Sequence, residues 1–380
     1  MKPLIGIWLA SLFLNAGAAQ ATQISVDSFS VYFREVQEVT KEHATLWNRD
    51  IYGPILMVDP ETREVYANMA DEGGVLYLSE GIYRGMLPKE ITISNTDAHW
   101  SGTHWAMIKL PLPPLKQDRI DLITHELFHV AQPSLGFELQ REDNIHLDDK
   151  EGRIYLRLEM AALKEALLAR RLAQAEEHLR NALIFRRYRQ LLFRGSEISE
   201  NSLELLEGLA TYTGQMMSGR DKWELRNYLI TRIVAFENFP SYVRAFAYET
   251  VPVYGFFLYQ KDNHWNKEID MESDLTTFFA DAFGMDMRII PQRYVKQVAD
   301  EYNGRAIVDE EQKRVISNNA RLDLYREKFL EDPHLEIRLG EISISFDFLN
   351  VVPLDEDEGM VYFTLQISDQ WGILTVDGGG

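Results

Sequence analysis

The sequence predicts an α+β protein with a β-rich N-terminal part, a mainly helical middle and a small C-terminal β unit. Short apolar runs separated by turn residues fill residues 54–112, which is typical of strands. Residues 153–194 contain neither glycine nor proline, which favours helix. Between residues 335 and 376, two stretches alternate apolar and polar residues, as half-buried strands do.

The first 21 residues have the order of features found in an export signal. Lys2 supplies a positive charge, residues 4–14 form an apolar run of eleven, and Ala19-Gln20-Ala21 offers a cleavage site. The run is shorter than the roughly 20 residues that span a bilayer. We expect cleavage after Ala21 and a bacterial-type periplasmic or secreted protein. The alternative is an ordinary buried N-terminal strand or helix.

Residues 22–118 are expected to form the β-rich part. Residues 27–47 could form an amphipathic helix. Strands are predicted at 54–58, 64–68, 75–78, 90–94 and 105–112, the last stopped by Pro113-Pro114. These make a sheet of about four or five strands that leads into the next helix.

Residues 119–330 are predicted to be helical. If residues 153–194 form one helix, it is about 60 Å long; a hairpin near residues 174–177 is the alternative. Its arginine pairs at 170–171 and 186–187 favour a solvated face over an anion site. Further helices are predicted at 199–218, 221–236, 253–262, 272–283, 287–301 and 309–330.

Residues 331–380 are predicted to form a β unit of about three or four strands, interrupted by the acidic loop at 355–359. It is too small for a core of its own and should pack on the helical part.

Composition limits the partners and the chemistry. The chain has 380 residues, 46% of them hydrophobic, and a formal net charge of −20. A strongly acidic protein repels phosphate backbones, so nucleic acid is not an expected partner. After the N-terminal run, no stretch is apolar enough for stable membrane insertion. The absence of cysteine excludes disulfides, cysteine nucleophiles and cysteine metal ligands.

The motif His-Glu-x-x-His at residues 125–129 predicts a metal site. Positions i and i+4 of a helix point the same way, so His125 and His129 offer two imidazoles to one ion. Neutral imidazoles suit Zn²⁺. Glu126, at the edge of that face, could act as general base for a water that attacks a carbonyl. The alternative is a helix with two hydrogen-bonded histidines and no metal.

Catalytic zinc sites usually have a third protein ligand, and Glu207 is the best candidate. Gly208 follows it, and Ala210 and Thr211 keep that side of the helix narrow. A second helix could therefore lie close to the first and deliver one carboxylate to the metal. The alternative is that Glu207 is a solvated helical residue.

Two other residues are weaker candidates for the third ligand. Glu204 lies three residues before Glu207 on the same side of the predicted helix. His146 lies in a polar stretch, residues 138–150, that suggests a loop. The metzincin pattern fails, because Gln132 and Leu135 stand where that class has glycine and histidine.

The two motifs together resemble the gluzincin metallopeptidases. Glu207-Gly208-Leu209-Ala210-Thr211-Tyr212 is similar to the EGxAxY helix of their aminopeptidase branch. The resemblance spans about residues 90–260. It implies a zincin-like fold, a zinc cofactor held by His125, His129 and Glu207, Glu126 as general base, and a peptide or protein substrate.

Three features depart from that family. The motifs are separated by 77 residues, so residues 153–194 would be an insertion. No GAMEN-like exopeptidase motif precedes the site, which leaves cleavage at chain ends or within chains open. Thermolysin-like members often have an aspartate where Thr211 stands, so the residues around the ligands should differ.

The resemblance also suggests a residue that binds the oxyanion. Residues 246–260 are similar to the segment that supplies a tyrosine for this role, and Tyr248 and Tyr254 are the candidates. For either one, a packed core tyrosine is the alternative. The strand at 105–112 is expected to be the sheet edge that binds an extended peptide, with His104 and Trp105 lining the cleft or serving the core.

The sequence thus predicts an exported zinc metallopeptidase. The alternatives are a catalytically inactive binding protein of the same fold and a zinc hydrolase that acts on other carbonyl compounds.

Overall fold

The computed structural model describes residues 26–138, 143–286, 291–340, 342–346, 351–355 and 359–380. The predicted export signal lies outside the described residues, as do parts of the predicted helix 287–301 and of the acidic loop. Among the helices described, none combines the length and the apolar character that a membrane span requires.

The N-terminal part begins with helix α1 (Val26–Glu42). Most of the rest of it is a mixed six-stranded sheet. Its strands are β1 (Ile55–Val58), β2 (Glu64–Ala67), β3 (Tyr77–Ser79), β4 (Ile82–Met86), β5 (Thr96–Trp100) and β6 (Thr103–Lys109). Their order is β3-β4-β2-β1-β6-β5. β1 and β6 are parallel and the other pairs are antiparallel.

The strand predicted at residues 90–94 is wrong, and two strands, β4 and β5, were missed. Residues 90–94 form a turn and irregular backbone, because the Arg63 guanidinium donates to the carbonyl oxygens of Leu87 (3.0 Å) and Ile91 (2.6 Å) and shapes the backbone there. β5 has the polar sequence TDAHW. It exists because Ser101 and Gly102 both adopt positive φ and turn the chain back in a tight hairpin.

The expected edge strand is also corrected. β6, which contains Trp105, lies between β1 and β5, so β5 is the edge. Trp105 is fully buried and its indole N–H donates to the Trp100 carbonyl, which gives it a core role. His104 is half-buried, with Nε2 2.8 Å from Asp97 Oδ2 on β5.

Helices dominate the middle of the chain. They are α2 (Lys116–Ala131), α3 (Lys150–Leu168), α4 (Leu172–Leu192), α5 (Ser196–Leu203), α6 (Leu209–Met217), α7 (Lys222–Phe236), α8 (Ala247–Lys261), α9 (Leu275–Ala282), α10 (Gln292–Asp300) and α11 (Gly304–Arg326). Short 3₁₀ turns occupy Gln132–Leu135, Ile145–Asp148 and Trp265–Glu268, and π-turns occupy Glu204–Gly208 and Glu327–Glu331.

The predicted single helix at 153–194 is two helices, α3 and α4, packed against each other. The chain turns extended at Ala169 and Arg171, earlier than the hairpin considered at 174–177. Arg226 of α7 donates to the carbonyl oxygens of Leu167 and Ala169 (2.6 Å for the second). The free carbonyl groups at the end of α3 therefore bond to a distant arginine. No glycine or proline nearby predicts that the helix ends there.

A buried ion-pair network joins α3, α4, α5 and the first π-turn. Arg186 Nε lies 2.7 Å from Glu159 Oε1, and its two terminal nitrogens lie 2.9 and 2.7 Å from the Glu204 carboxylate oxygens. Arg189 bridges Glu159 and Glu200, each at 2.8 Å. The prediction of a solvated arginine face is wrong for Arg186, because these carboxylates take it into the core.

Because of this network, we expect the free energy of unfolding to depend on pH. Burial alone would raise the pKa of Glu200, but the charge and hydrogen bonds of Arg189 outweigh it and lower the pKa from 4.5 to about 2. Glu200 therefore contributes stability above its unfolded pKa, and loses it as pH falls from about 4.5 to about 2.

At about 1.4 kcal/mol per pH unit, the contribution is about 3 kcal/mol. We expect the difference in free energy of unfolding between the wild type and Glu200→Gln to shrink by that amount between pH 6 and pH 2, measured by urea titration. A difference that stays constant with pH would contradict this assignment.

The C-terminal unit has two small sheets. Its strands are β7 (Ser343–Phe346), β8 (Val351–Asp355), β9 (Gly359–Tyr362), β10 (Thr364–Asp369) and β11 (Gly372–Asp377). They pair as β11-β10-β7 and β8-β9. Leu354 and Val361 pack on Tyr325 near the end of α11, so helical residues complete the small core.

Candidate metal centre

Helix α2 carries the His-Glu-x-x-His motif between two layers of structure. On one side it packs against β5 and β6, and on the other against α6. Ile123, Leu127 and Phe128 are fully buried, which fixes the helix in rotation. His125, Glu126 and His129 are buried as well, at 7%, 0% and 5% exposure.

The two histidines and Glu207 converge on one point. His125 Nε2 lies 3.1 Å from His129 Nε2. Glu207 Oε2 lies 3.2 Å from His129 Nε2 and 3.6 Å from His125 Nε2. Ligand atoms held at about 2.0–2.1 Å by a tetrahedral zinc ion are about 3.3 Å apart. The spacing of these three atoms therefore fits a zinc ion, and the alternative of a solvated Glu207 is excluded by its 3% exposure.

Glu126 lies within the same cluster. Ligand atoms of His125, Glu126 and His129 are within 4.8 Å of one another, so this group could hold or flank a metal ion. The Glu126 carboxylate is fully buried in this cluster.

Glu207 sits in a π-turn, Glu204–Gly208, between α5 and α6. In an α-helix, residues three apart lie on one side, which was the reason to consider Glu204 as a ligand. In the wider turn the two glutamates face different partners. Glu204 binds Arg186 and accepts a hydrogen bond from Thr250, whereas Glu207 faces α2. Single π-turns are rare and often occur at functional sites.

Two glycines set the distances between these helices. A Cβ at Gly208 would clash with Val251 of α8, at 2.8 Å from the Val251 Cβ. A Cβ at Gly214 would lie 2.5 Å from the Asp121 carbonyl oxygen of α2. Gly208 does permit a close approach, as its sequence context suggested, but to α8; Gly214 permits the approach of α6 to α2.

Gly214→Ala is expected to destabilise the protein by about 1–3 kcal/mol, because the new methyl group forces α6 away from α2. Helix propensity alone would favour alanine by about 1 kcal/mol, so the sign of the change identifies the contact as its cause. Urea unfolding measures the effect. Gly53→Ala is the control, because its Cβ would find its nearest atom, Leu127 Cδ2, at 3.7 Å. Equal effects of the two changes would contradict the prediction.

Both histidines have a partner at their second ring nitrogen. His129 Nδ1 lies 2.7 Å from Gln132 Oε1. His125 Nδ1 lies 3.4 Å from Thr211 Oγ1, and the Thr211 hydroxyl donates to the Glu207 carbonyl. In the sequence, Gln132 was noted only because it stands where the metzincin pattern has glycine. The signal it missed was an amide one turn after the second histidine.

The charges around the site affect the two imidazoles differently. Burial lowers the pKa of His125 to about 4, which keeps this imidazole neutral. Burial also opposes the charged form of His129, but the Glu207 carboxylate outweighs it and raises the pKa of His129 to about 9. Arg232 of α7, bonded to Glu249 (2.5 Å), further disfavours a proton on His125.

The structure brings Tyr248 to the site but not Tyr254. The half-buried Tyr248 ring stacks on His125 with centroids 5.9 Å apart. Tyr254 is fully buried, its ring stacked on Phe279 and its hydroxyl 3.1 Å from Glu159 Oε1 in the ion-pair network. Tyr254 is therefore a packed core tyrosine, which was the alternative to a role in binding the oxyanion.

The remaining candidates also lie elsewhere. His146 Nε2 is 2.8 Å from Glu200 Oε1, so His146 extends the ion-pair network. Tyr212, the last residue of the EGxAxY-like motif, is buried and accepts a hydrogen bond from Trp265 Nε1 (3.0 Å). The packing of α6 against the 3₁₀ turn Trp265–Glu268 thus explains this tyrosine.

The function of this chain has to be inferred from the site itself. Comparisons of the chain with protein-family models, curated proteins and solved structures find no match.

Proposed function

We propose that this chain is an exported, zinc-dependent metallopeptidase of gluzincin type with Glu126 as general base. The observation that carries the proposal is the convergence of His125 Nε2, His129 Nε2 and Glu207 Oε2 within 3.1–3.6 Å of one another. The proposal of export rests on the pattern of the first 21 residues alone.

The donor set is that of a catalytic zinc site. Two imidazoles and one carboxylate are three protein ligands, which leaves one position of a tetrahedral ion for water or substrate. A zinc ion held there would act as a Lewis acid that polarises a carbonyl and lowers the pKa of water. Thiolate chemistry is absent, since the chain has no cysteine.

The chain's own residues supply the remaining roles. Glu126 takes a proton from the attacking water and passes it to the leaving nitrogen, as its buried place beside His125 allows. Tyr248, whose ring stacks on His125, would donate a hydrogen bond to the oxyanion. Tyr254 has no part in this proposal.

In this proposal, an extended peptide binds along the open edge of β5. β5 pairs with β6, and among the described residues no strand lies on its other side. Because α2 packs against β5, a peptide added to this edge would lie near the helix that carries the two histidines. A mixed sheet with such an edge, followed by α2 and later by a π-turn that carries Glu207 toward it, supports a zincin-like architecture.

Metal analysis and a peptide-library digest test the proposal together. The purified protein should contain about one zinc ion per chain, cleave internal or terminal peptide bonds, lose this activity with a chelator and regain it with zinc. Zinc without cleavage would contradict the peptidase proposal and favour a binding protein or a hydrolase of other carbonyl compounds. An ester library in the same assay separates these two.

A further inference from the structure

Gln132 joins the two halves of the metal site. It follows α2 at the start of the 3₁₀ turn and is 2% exposed. Its amide contacts both His129 of α2 and the π-turn that carries Glu207. A buried amide at this place has to satisfy all of its polar atoms within the protein.

The partners of Gln132 determine how its amide is oriented. Leu205 and Leu206 offer carbonyl oxygens, at 3.2 and 2.9 Å from Gln132 Nε2. Carbonyl oxygens only accept hydrogen bonds, so the NH₂ group must face them. The amide oxygen then faces His129 Nδ1, at 2.7 Å.

This orientation in turn fixes the tautomer of His129. An amide oxygen cannot donate, so Nδ1 of His129 has to carry the hydrogen. The lone pair of the neutral ring then lies on Nε2, the atom that faces His125 and Glu207. A metal ligand needs that lone pair, and partners of this kind at the outer nitrogen commonly orient ligating histidines.

The same side chain holds the π-turn. In a π-turn the carbonyls bond to amides five residues on, a wider spacing than in an α-helix. Leu205 and Leu206 are the two residues immediately before Glu207. By accepting hydrogen bonds from Gln132, their carbonyls fix the backbone from which Glu207 reaches α2.

We propose that Gln132 is a positioning residue that holds His129 in its metal-binding tautomer and holds the π-turn so that Glu207 completes the site. The proposal rests on the zinc site of the proposed function, but not on peptide hydrolysis. Gln132 itself contributes no metal ligand.

Three variants and two measurements test this role. Gln132→Leu removes both contacts, and Gln132→Glu keeps an acceptor for His129 but loses the donors to the π-turn. Gln117→Leu is the matched control, since Gln117 lies in the first turn of α2, far from the histidines, and its amide donates to Glu224 Oε2 at 3.2 Å. Zinc affinity is measured by competition with a chromophoric chelator. The His129 tautomer is measured by ¹⁵N NMR of the ring nitrogens in the metal-free protein, at a pH above the His129 pKa of about 9, where the ring is neutral.

Gln132→Leu is expected to weaken zinc binding by about 10–100-fold and to allow both His129 tautomers. Gln132→Glu should also weaken zinc binding, but should keep the hydrogen on Nδ1, an effect that a purely structural role would not produce. Gln117→Leu should match the wild type in both measurements. Circular dichroism and thermal unfolding identify any variant that fails to fold.

Each outcome has a distinct meaning. Folded Gln132→Leu that binds zinc as the wild type does, with one His129 tautomer, would overturn the role of Gln132 alone. Should Gln132→Leu fail to fold, a mixture of tautomers in Gln132→Glu would overturn it instead. A wild-type chain that binds zinc but cleaves no peptide would overturn the peptidase proposal and leave this one standing. A wild-type chain that binds no zinc would overturn both.

Discussion

Glu126→Gln is expected to lower kcat/KM for peptide hydrolysis by about 10²–10⁴-fold while the zinc content stays at the wild-type level. The amide has nearly the same shape as the carboxylate but cannot take a proton from water. His125, His129 and Glu207 keep their positions, because the change adds no volume at this fully buried place. The measurement is steady-state kinetics with zinc determined on the same samples.

Two other variants give this result its meaning. Glu207→Gln should lose both zinc and activity, since its oxygen lies 3.2 Å from His129 Nε2 as part of the ligand set. Glu61→Gln, in an exposed turn after β1, should change neither. If Glu126→Gln kept wild-type kcat/KM, Glu126 would not be the general base, and the mechanism would be abandoned.

Arg186→Met is expected to lower the free energy of unfolding by about 3–5 kcal/mol. Methionine fills much of the space of the arginine stem but leaves the Glu204 carboxylate without the two guanidinium contacts at 2.7 and 2.9 Å. Glu159 loses one of its two arginines. These carboxylates are fully buried, so water cannot replace the lost partner.

An exposed arginine provides a control for this substitution. Arg194, just after α4, takes part in no ion pair among the residues described, so Arg194→Met should change stability by about 0.5 kcal/mol or less. Urea unfolding at pH 7 measures both variants. A loss below about 1 kcal/mol for Arg186→Met would show that the ion-pair network adds little to the free energy of unfolding beyond what apolar packing supplies.

The sequence predicted the elements whose patterns are local. The α2 motif, the short apolar runs of β1, β2 and β6, and the change to helix and back to strand are all patterns that neighbouring residues carry. It failed where a distant residue shapes the backbone. Arg63 turns residues 90–94 away from strand, and Arg226 caps α3 where no glycine or proline is present.

The predictions for the site residues succeeded and failed for the same reason. His125, Glu126 and His129 are related by helix geometry, so their common face could be derived from spacing alone. Glu207 was predicted from its glycine and small neighbours, for a reason that is only partly right: Gly208 accommodates α8, and Gly214 accommodates α2. Glu204, His146 and Tyr254 were plausible by type, but the buried arginines and their network bind them elsewhere.

By itself, the sequence determined an α+β chain with a two-histidine motif on a helix and a carboxylate able to join it. Only the tertiary structure decided which glutamate joins it, because a π-turn and an ion-pair network turn Glu207 and Glu204 toward different partners. It also decided the role of Gln132, whose three contacts lie on segments far apart in the chain. Side-chain periodicity records which face a residue occupies, whereas the partner it meets depends on how the helices pack.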